Sequence, residues 1–146
     1  MPMTPFDRAI GLRLLGLHEK AYELSGGLWG HRLGSLRMLL LRTTGRRTGR
    51  RRSSALLYHR DGDAYVVVGS KGGSESPPAW LLNIQADPEV EVQVGTRRFA
   101  ARARVATAAQ RRRLWPVMTR IWPDYERYQS QTSRQIPLVI LRPVDP

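Results

Sequence analysis

The chain has 146 residues, 41% apolar and 25% charged, which fits one globular domain able to bury its own core. It contains no cysteine, which excludes disulfides, thiolate nucleophiles, iron–sulfur clusters and cysteine-type zinc sites. Twenty-four basic residues against 12 acidic ones give +12, and every basic residue except Lys20 and Lys71 is arginine. A field of that sign favours anions: phosphates, carboxylates, nucleic acid or an anionic membrane face.

In chain order, Pro5 to about Ser25 reads as a helix, because Phe6, Ile10, Leu14, Leu17, Ala21 and Leu24 share one face. Asp7, Arg8, Arg13 and Glu19 interrupt any secretory signal, and no apolar run approaches the ~20 residues of a membrane span, so a cytoplasmic location is expected. Leu28 to Gly34 reads as a loop. Strands are expected at Leu36–Thr43 and Ser53–Arg60, with a turn at Thr44–Arg50 between them. Asp61-Gly62 is a hairpin signal, and the apolar strand Tyr65–Ser70 follows it. Pro77-Pro78 opens a short helix from Ala79 to about Gln85.

Val90, Val92 and Val94 alternate with polar residues as a half-exposed strand does, and Phe99–Ala106 is its partner. Thr107 and Gln110 have the spacing of a capping box, and Leu114, Met118 and Ile121 supply the stripe of the helix they begin. Pro116 is expected to kink or strain that helix. Pro123 ends it or opens another near Tyr125–Gln131, and Pro137–Arg142 is the closing strand. The connections are too short for repeated parallel crossovers. The expected class is therefore mainly β with helices (α+β): a small antiparallel barrel of about six strands over residues 36–146, preceded by a helix and loop over 1–35.

Four stretches carry candidate chemistry. Thr43 to Arg52 crowds Arg46, Arg47, Arg50, Arg51 and Arg52 around Gly45 and Gly49, suiting phosphate or carboxylate, or simply a solvated hairpin loop. Ser70-Lys71-Gly72-Gly73 ends an apolar strand and offers a hydroxyl, an amine and pliant backbone. Trp80 and Asn83 share a helical face, to hold a planar ligand or to pack and solvate. Trp122, Tyr125 and Tyr128 recur every third residue, as a substrate-lining or a core-facing stripe. His18, His31 and His59 show no ligand spacing, so no metal site is expected. No nucleophile–base pair stands out, so an enzyme built on this chain would rely on a cofactor.

The ordered set of motifs resembles the deazaflavin-dependent nitroreductase family, oxidoreductases of actinobacteria that use coenzyme F-420. It comprises Thr43-Thr44-Gly45-Arg46-Arg47-Thr48-Gly49, Leu56-Leu57-Tyr58 with Arg60-Asp61-Gly62-Asp63, and Val67-Val68-Gly69-Ser70-Lys71-Gly72-Gly73. Then come Pro78-Ala79-Trp80-Leu81-Leu82-Asn83 and Trp122-Pro123-Asp124-Tyr125 through Tyr128-Gln129 to Ile136-Pro137. The resemblance implies a split β-barrel oxidoreductase, related to FMN-binding barrels, that transfers a hydride from the reduced deazaflavin to a quinone or nitro compound.

The resemblance also assigns roles. Arg46, Arg47, Thr48 and Arg52 would hold the phosphate and glutamyl tail. Ser53, Ser54, Ala55, Leu56, Leu57 and Tyr58 would border the ring and linker. Val68, Gly69, Ser70 and Lys71 would line the cofactor, as would Ala79, Trp80, Leu81, Leu82 and Asn83. Tyr125 would face the ring, with Tyr128 and Trp122 lining the acceptor pocket. Tyr125, Tyr128, Ser70 or water would polarise the acceptor or deliver its proton. Ala55 stands where relatives commonly have Pro, Leu57 where some have Tyr, and Trp122 where Tyr is common.

The alternatives are a non-catalytic deazaflavin carrier and a split barrel using FMN, the less favoured cofactor because five arginines exceed the need of one phosphate. A nucleic-acid partner is not expected, since Tyr58, Tyr65 and Phe99 form no stacking motif. The amphipathic N-terminal helix and basic charge suit peripheral contact with the inner face of the plasma membrane. The sequence leaves the oligomeric state open.

Overall fold

The computed structural model describes residues 32–33 and 36–144. The proposed N-terminal helix, His18 and His31 lie outside the described residues. The strands are β1 (Arg32–Leu33), β2 (Leu36–Thr44), β3 (Arg51–Leu57), β4 (His59–Asp61), β5 (Ala64–Val68), β6 (Glu89–Val94), β7 (Arg97–Val105) and β8 (Leu138–Pro143). The helices are α1 (Ala79–Ala86), α2 (Ala108–Ile121) and α3 (Asp124–Ser130), with a single 3-10 turn at Lys71–Gly73.

All pairings are antiparallel, in the order β1-β2-β6-β7-β8-β5-β4, and β3 joins on β2. Eight strands replace the expected six for two local reasons. Arg32–Leu33, read as loop, folds back on Leu36–Arg37. The strand expected at Ser53–Arg60 divides at Tyr58, whose N–H donates to the Arg37 carbonyl at 3.2 Å. Before Tyr58 the segment pairs with β2; after it, with β5. One bent segment thus serves both ends of the sheet and curls it into a split barrel.

Strand alternation sorts the side chains into two cores. Leu39, Leu41, Tyr58, Tyr65, Val67, Val92, Ala101, Val139 and Leu141 pack inside the barrel, and α1 adds Trp80, Leu81 and Ile84. On the outer face Ala64, Val66, Val68, Leu138 and Ile140 meet Leu114 and Met118 of α2 and Tyr125 of α3. Every residue of β5 is buried, because the inner cluster covers one face and the helices cover the other.

The capping box forms as its spacing predicts: the Gln110 N–H donates to Thr107 Oγ1 (3.2 Å) and the Thr107 N–H to Gln110 Oε1 (2.9 Å). α2 continues through Pro116, which sits on its exposed side. Gln93 is buried within an otherwise alternating strand because Arg42 Nη2 donates to its Oε1 (2.9 Å) while Arg42 Nη1 pairs with Glu91 (3.0 Å).

Candidate functional site

The β2–β3 hairpin ends in a self-bonded loop. Gly45 N–H donates to the Arg50 carbonyl (2.7 Å), Gly49 N–H to the Gly45 carbonyl (2.8 Å), and Arg50 N–H to Thr48 Oγ1 (3.2 Å). Gly49 takes a φ of 71° to make the turn. The loop is fastened from below by Asn83. Its Oδ1 accepts the Arg46 N–H (3.1 Å) and its Nδ2 donates to the buried Thr43 hydroxyl (3.1 Å). Arg46, Arg47, Arg50, Arg51 and Arg52 are exposed, and none forms an ion pair with a described residue. Self-repulsion among unpaired guanidiniums makes this loop a ready anion acceptor.

Strand β3 presents its two faces to different surroundings. Ala55 and Leu57 pack outside with Met38 and Leu40, and Leu57 also borders the outer core that holds Tyr125. Leu56 borders the inner core, to which Tyr58 belongs. By register Ser53 shares the face of Ala55, while Arg52 and Ser54 share that of Leu56. Helix α1 divides similarly: Trp80 and Leu81 fill the barrel, Asn83 fastens the hairpin, Leu82 is half-buried and Ala79 is exposed.

Beyond Val68 the chain turns. Gly69 N–H donates to the Pro137 carbonyl (2.9 Å) and Gly73 N–H to the Ser70 carbonyl (3.0 Å). Lys71 adopts a φ of 47°, a left-handed conformation costing a non-glycine residue about 1 kcal/mol. Gly73, at a φ of 81°, lies so close to α3 that a Cβ would stand 2.9 Å from both the Cα and the carbonyl oxygen of Tyr128. Ser70 is buried and Lys71 exposed on this turn.

On α3, Tyr125 is 6% exposed, with the Trp115 ring 6.5 Å away and the Tyr128 ring edge-on at 6.1 Å. Trp122 Nε1 donates to the Tyr128 hydroxyl (3.4 Å). Burial, and secondarily the neighbouring Tyr128, pushes the Tyr125 phenol well above the ordinary tyrosine range. An open depression of about 380 Å³ is lined by Leu36, Arg37, Tyr58, His59, Arg60 and Ile121, and of these Ile121 also packs against the outer core that holds Tyr125.

The fold therefore gathers Leu57, Val68, Trp122, Tyr125 and Tyr128 on one outer face, with Ser70 and Lys71 on the adjoining turn. It puts Leu56, Tyr58, Trp80 and Leu81 on the inner side. Arg134 and Gln129 belong to the framework of the site; in the sequence Gln129 stands only as part of a motif, with no role, and Arg134 is not marked at all. Both work by bonding backbone carbonyls and amides, a role with no spacing signature. Among the described residues no grouping of His, Asp or Glu could hold a metal, and no helix is long and apolar enough to cross a membrane.

Residues 14–143 match the model of a family described as F420H(2)-dependent quinone reductase. The chain is 42% identical over 139 residues to the F420H(2)-dependent quinone reductase Rv1261c of Mycobacterium tuberculosis, covering 92% of this chain and 93% of the relative. Among solved structures it is similar to an F420-H2 dependent reductase (FDR-A), with 33% identity, a TM-score of 0.66 and coverage of 72% of this chain and 93% of the other. A structure described as a domain-swapped dimer shares 29% identity at a TM-score of 0.69, covering 87% and 97%. HutZ of Vibrio cholerae, at 15% identity and a TM-score of 0.55 over 90% and 92% of the two chains, shares the fold alone.

Proposed function

The chain belongs to the F420H(2)-dependent quinone reductase family, and from that membership we propose that its outer aromatic face and arginine hairpin together bind reduced coenzyme F-420 and present it to a quinone. When bound, the coenzyme supplies a hydride from C5 of its deazaflavin ring. Two observations fit it to these residues. The hairpin offers an anionic tail five exposed arginines that have no acidic partner among the described residues. The Tyr125 hydroxyl, on a residue more than nine-tenths buried, makes no hydrogen bond to any described residue.

In this reading Arg46, Arg47 and Arg52, with Thr48, hold the phosphate and glutamyl groups. Ser53, Ala55 and Leu57 on the outer face of β3 border the ring, with Val68, Gly69, Ser70 and Lys71 opposite. Ser54, Leu56, Tyr58, Ala79, Trp80, Leu81, Leu82 and Asn83 support that surface from beneath. The depression at Ile121 and Tyr58 gives the acceptor an apolar floor, and its cationic rim at Arg37 and Arg60 stabilises negative charge growing on a carbonyl oxygen. Tyr125 keeps its proton throughout the working pH range, because its surroundings disfavour the phenolate. It is placed to donate a hydrogen bond, and Tyr128, Ser70 or water completes the protonation that turns a quinone into a hydroquinone.

The single observation that carries this reading is Tyr125 enclosed in the outer aromatic group, with a hydroxyl that bonds no described residue. Steady-state reduction of a water-soluble quinone, followed by loss of reduced F-420 absorbance, tests it. Tyr125→Phe should lower kcat by about ten- to a hundredfold with little change in F-420 affinity. Binding of F-420 without turnover of any quinone or nitro dye would identify a carrier, and tight binding of FMN alone would change the cofactor.

A location in the cytoplasm, with peripheral membrane contact through the N-terminal segment, completes the proposal. The apolar spacing of the sequence from Phe6 to Leu24 and the charge of +12 support it. Flotation with anionic vesicles at low salt is the check, and absence of co-flotation refutes the contact.

A further inference from the structure

The turn that carries Ser70 and Lys71 and the helix that carries Tyr125 and Tyr128 are separated by more than fifty residues of chain, yet one arginine joins them, its guanidinium to the turn and its carbonyl to Gln129 of the helix. Arg134 Nε donates to the Ser74 carbonyl (2.9 Å), Nη1 to that of Gly69 (3.1 Å) and Nη2 to that of Ser70 (2.8 Å). The Arg134 carbonyl in turn accepts from Gln129 Nε2 (2.8 Å), and Gln129 Oε1 takes the Ile136 N–H (2.8 Å). The path of hydrogen bonds therefore runs from α3 through Gln129 and Arg134 to the turn.

Two further ties run parallel to it. Glu75 accepts the Ser133 N–H (3.0 Å) and hydroxyl (2.9 Å), and Gly73 abuts the Tyr128 backbone with no room for a side chain. Within the turn, Lys71 is held in a conformation it does not favour. A planar fork with fixed donors is the side chain suited to fixing three carbonyls at once, and a lysine in its place would reach only some of them.

We propose that Arg134 is a positioning residue: it locks the Gly69–Ser74 turn onto α3, so that Ser70 and Lys71 keep a fixed distance from Tyr125 and Tyr128. This rests on the reading above that these groups contact the coenzyme from both sides. The clamp works by preorganisation: a turn already locked needs no ordering when the ligand arrives, and misplacement of about an ångström is costly to a reaction that depends on alignment.

Full-length protein carrying Arg134→Met, Arg134→Lys or Glu75→Ala is titrated with F-420 by fluorescence and assayed for quinone reduction at a temperature where circular dichroism shows each variant folded. Arg134→Met is expected to weaken F-420 binding by about tenfold or more and to lower kcat as well. Arg134→Lys should recover part of both losses, and Glu75→Ala should move both in the same direction by a few-fold. Variants that melt earlier but bind and turn over as the parent does would overturn the proposal and leave Arg134 a structural residue. If Arg134→Met fails to fold, the lysine and Glu75 variants decide alone, and parental constants in both overturn it. Failure of the parent protein itself to bind F-420 would instead strike the reading on which the clamp rests.

Discussion

The arginine hairpin and the clamped turn are built on opposite principles. At the hairpin, five guanidiniums stand in solvent with no acidic partner among the described residues; Arg51 alone reaches a backbone carbonyl, that of Arg42, at 3.5 Å, while the backbone beneath them is secured. At the clamped turn, three carbonyls and a carboxylate are tied across to the segment after α3. A field of unpaired cations attracts and retains an anion without demanding one geometry. A fully bonded turn contributes little attraction but presents its groups at fixed positions. In the proposed function, separating the two tasks would let a charged tail be captured loosely while a reactive ring is held tightly.

The comparison is broken most severely by removing the field. The triple variant Arg46→Ala/Arg47→Ala/Arg52→Ala should weaken F-420 binding by about a hundredfold or more, with a flatter salt dependence and Tm nearly unchanged. A large fall in Tm would show that the hairpin arginines stabilise the fold after all. Asn83→Ala removes the amide that fastens the hairpin from below. It leaves the buried Thr43 hydroxyl and the Arg46 N–H without their partner. A stability loss of about 2 kcal/mol is expected in denaturant titration, with F-420 affinity falling together with it.

Lys71→Gly separates strain from contact. Relief of the left-handed φ should add about 1 kcal/mol to stability, while loss of the amine weakens F-420 binding a few-fold. Equal affinity would remove Lys71 from the site. The smallest effect lies away from both regions, at the bidentate pair of Arg113 with Asp61. The Arg113 hydrogen bonds hold the Asp61 carboxyl below its usual range. Its contribution is therefore complete above the unfolded-state value near 4 and fades as pH falls through the lower folded value. Asp61→Asn should lower Tm slightly near neutral pH, where the contribution of the pair is complete, and remove the acid-side loss of Tm, since little is left to lose there.

Much of the scaffold was legible because it is written in local rules. Asp61-Gly62 announced its hairpin, Thr107 and Gln110 their reciprocal cap, and the valines of β6 their buried face. The break at Tyr58 was not legible, because it depends on a change of partner strand and not on any residue that resists extension. The aromatic triplet around Tyr125 was visible as spacing, but its side of the barrel was not. The strand from Ser53 to Tyr58 could be named as a border, yet only register shows which of its residues share the face of Leu57 and which the face of Leu56. Asn83 was noticed for its amide, and the structure uses that amide to hold a turn. Arg134 gave no warning, since bonds to carbonyls distant in sequence leave no pattern.

The wholly buried strand β5 has a consequence for how the chain reaches this state. Its partner β8 is synthesised about 75 residues later, and the residues covering its outer face, in α2 and α3, also follow it. Until they arrive, Tyr65-Val66-Val67-Val68 is an apolar β-prone segment with an unpaired edge, the kind of surface on which nascent chains aggregate. Folding should accordingly be slow for the size of the domain, and its yield should depend on chaperone supply and temperature during synthesis more than on the final stability.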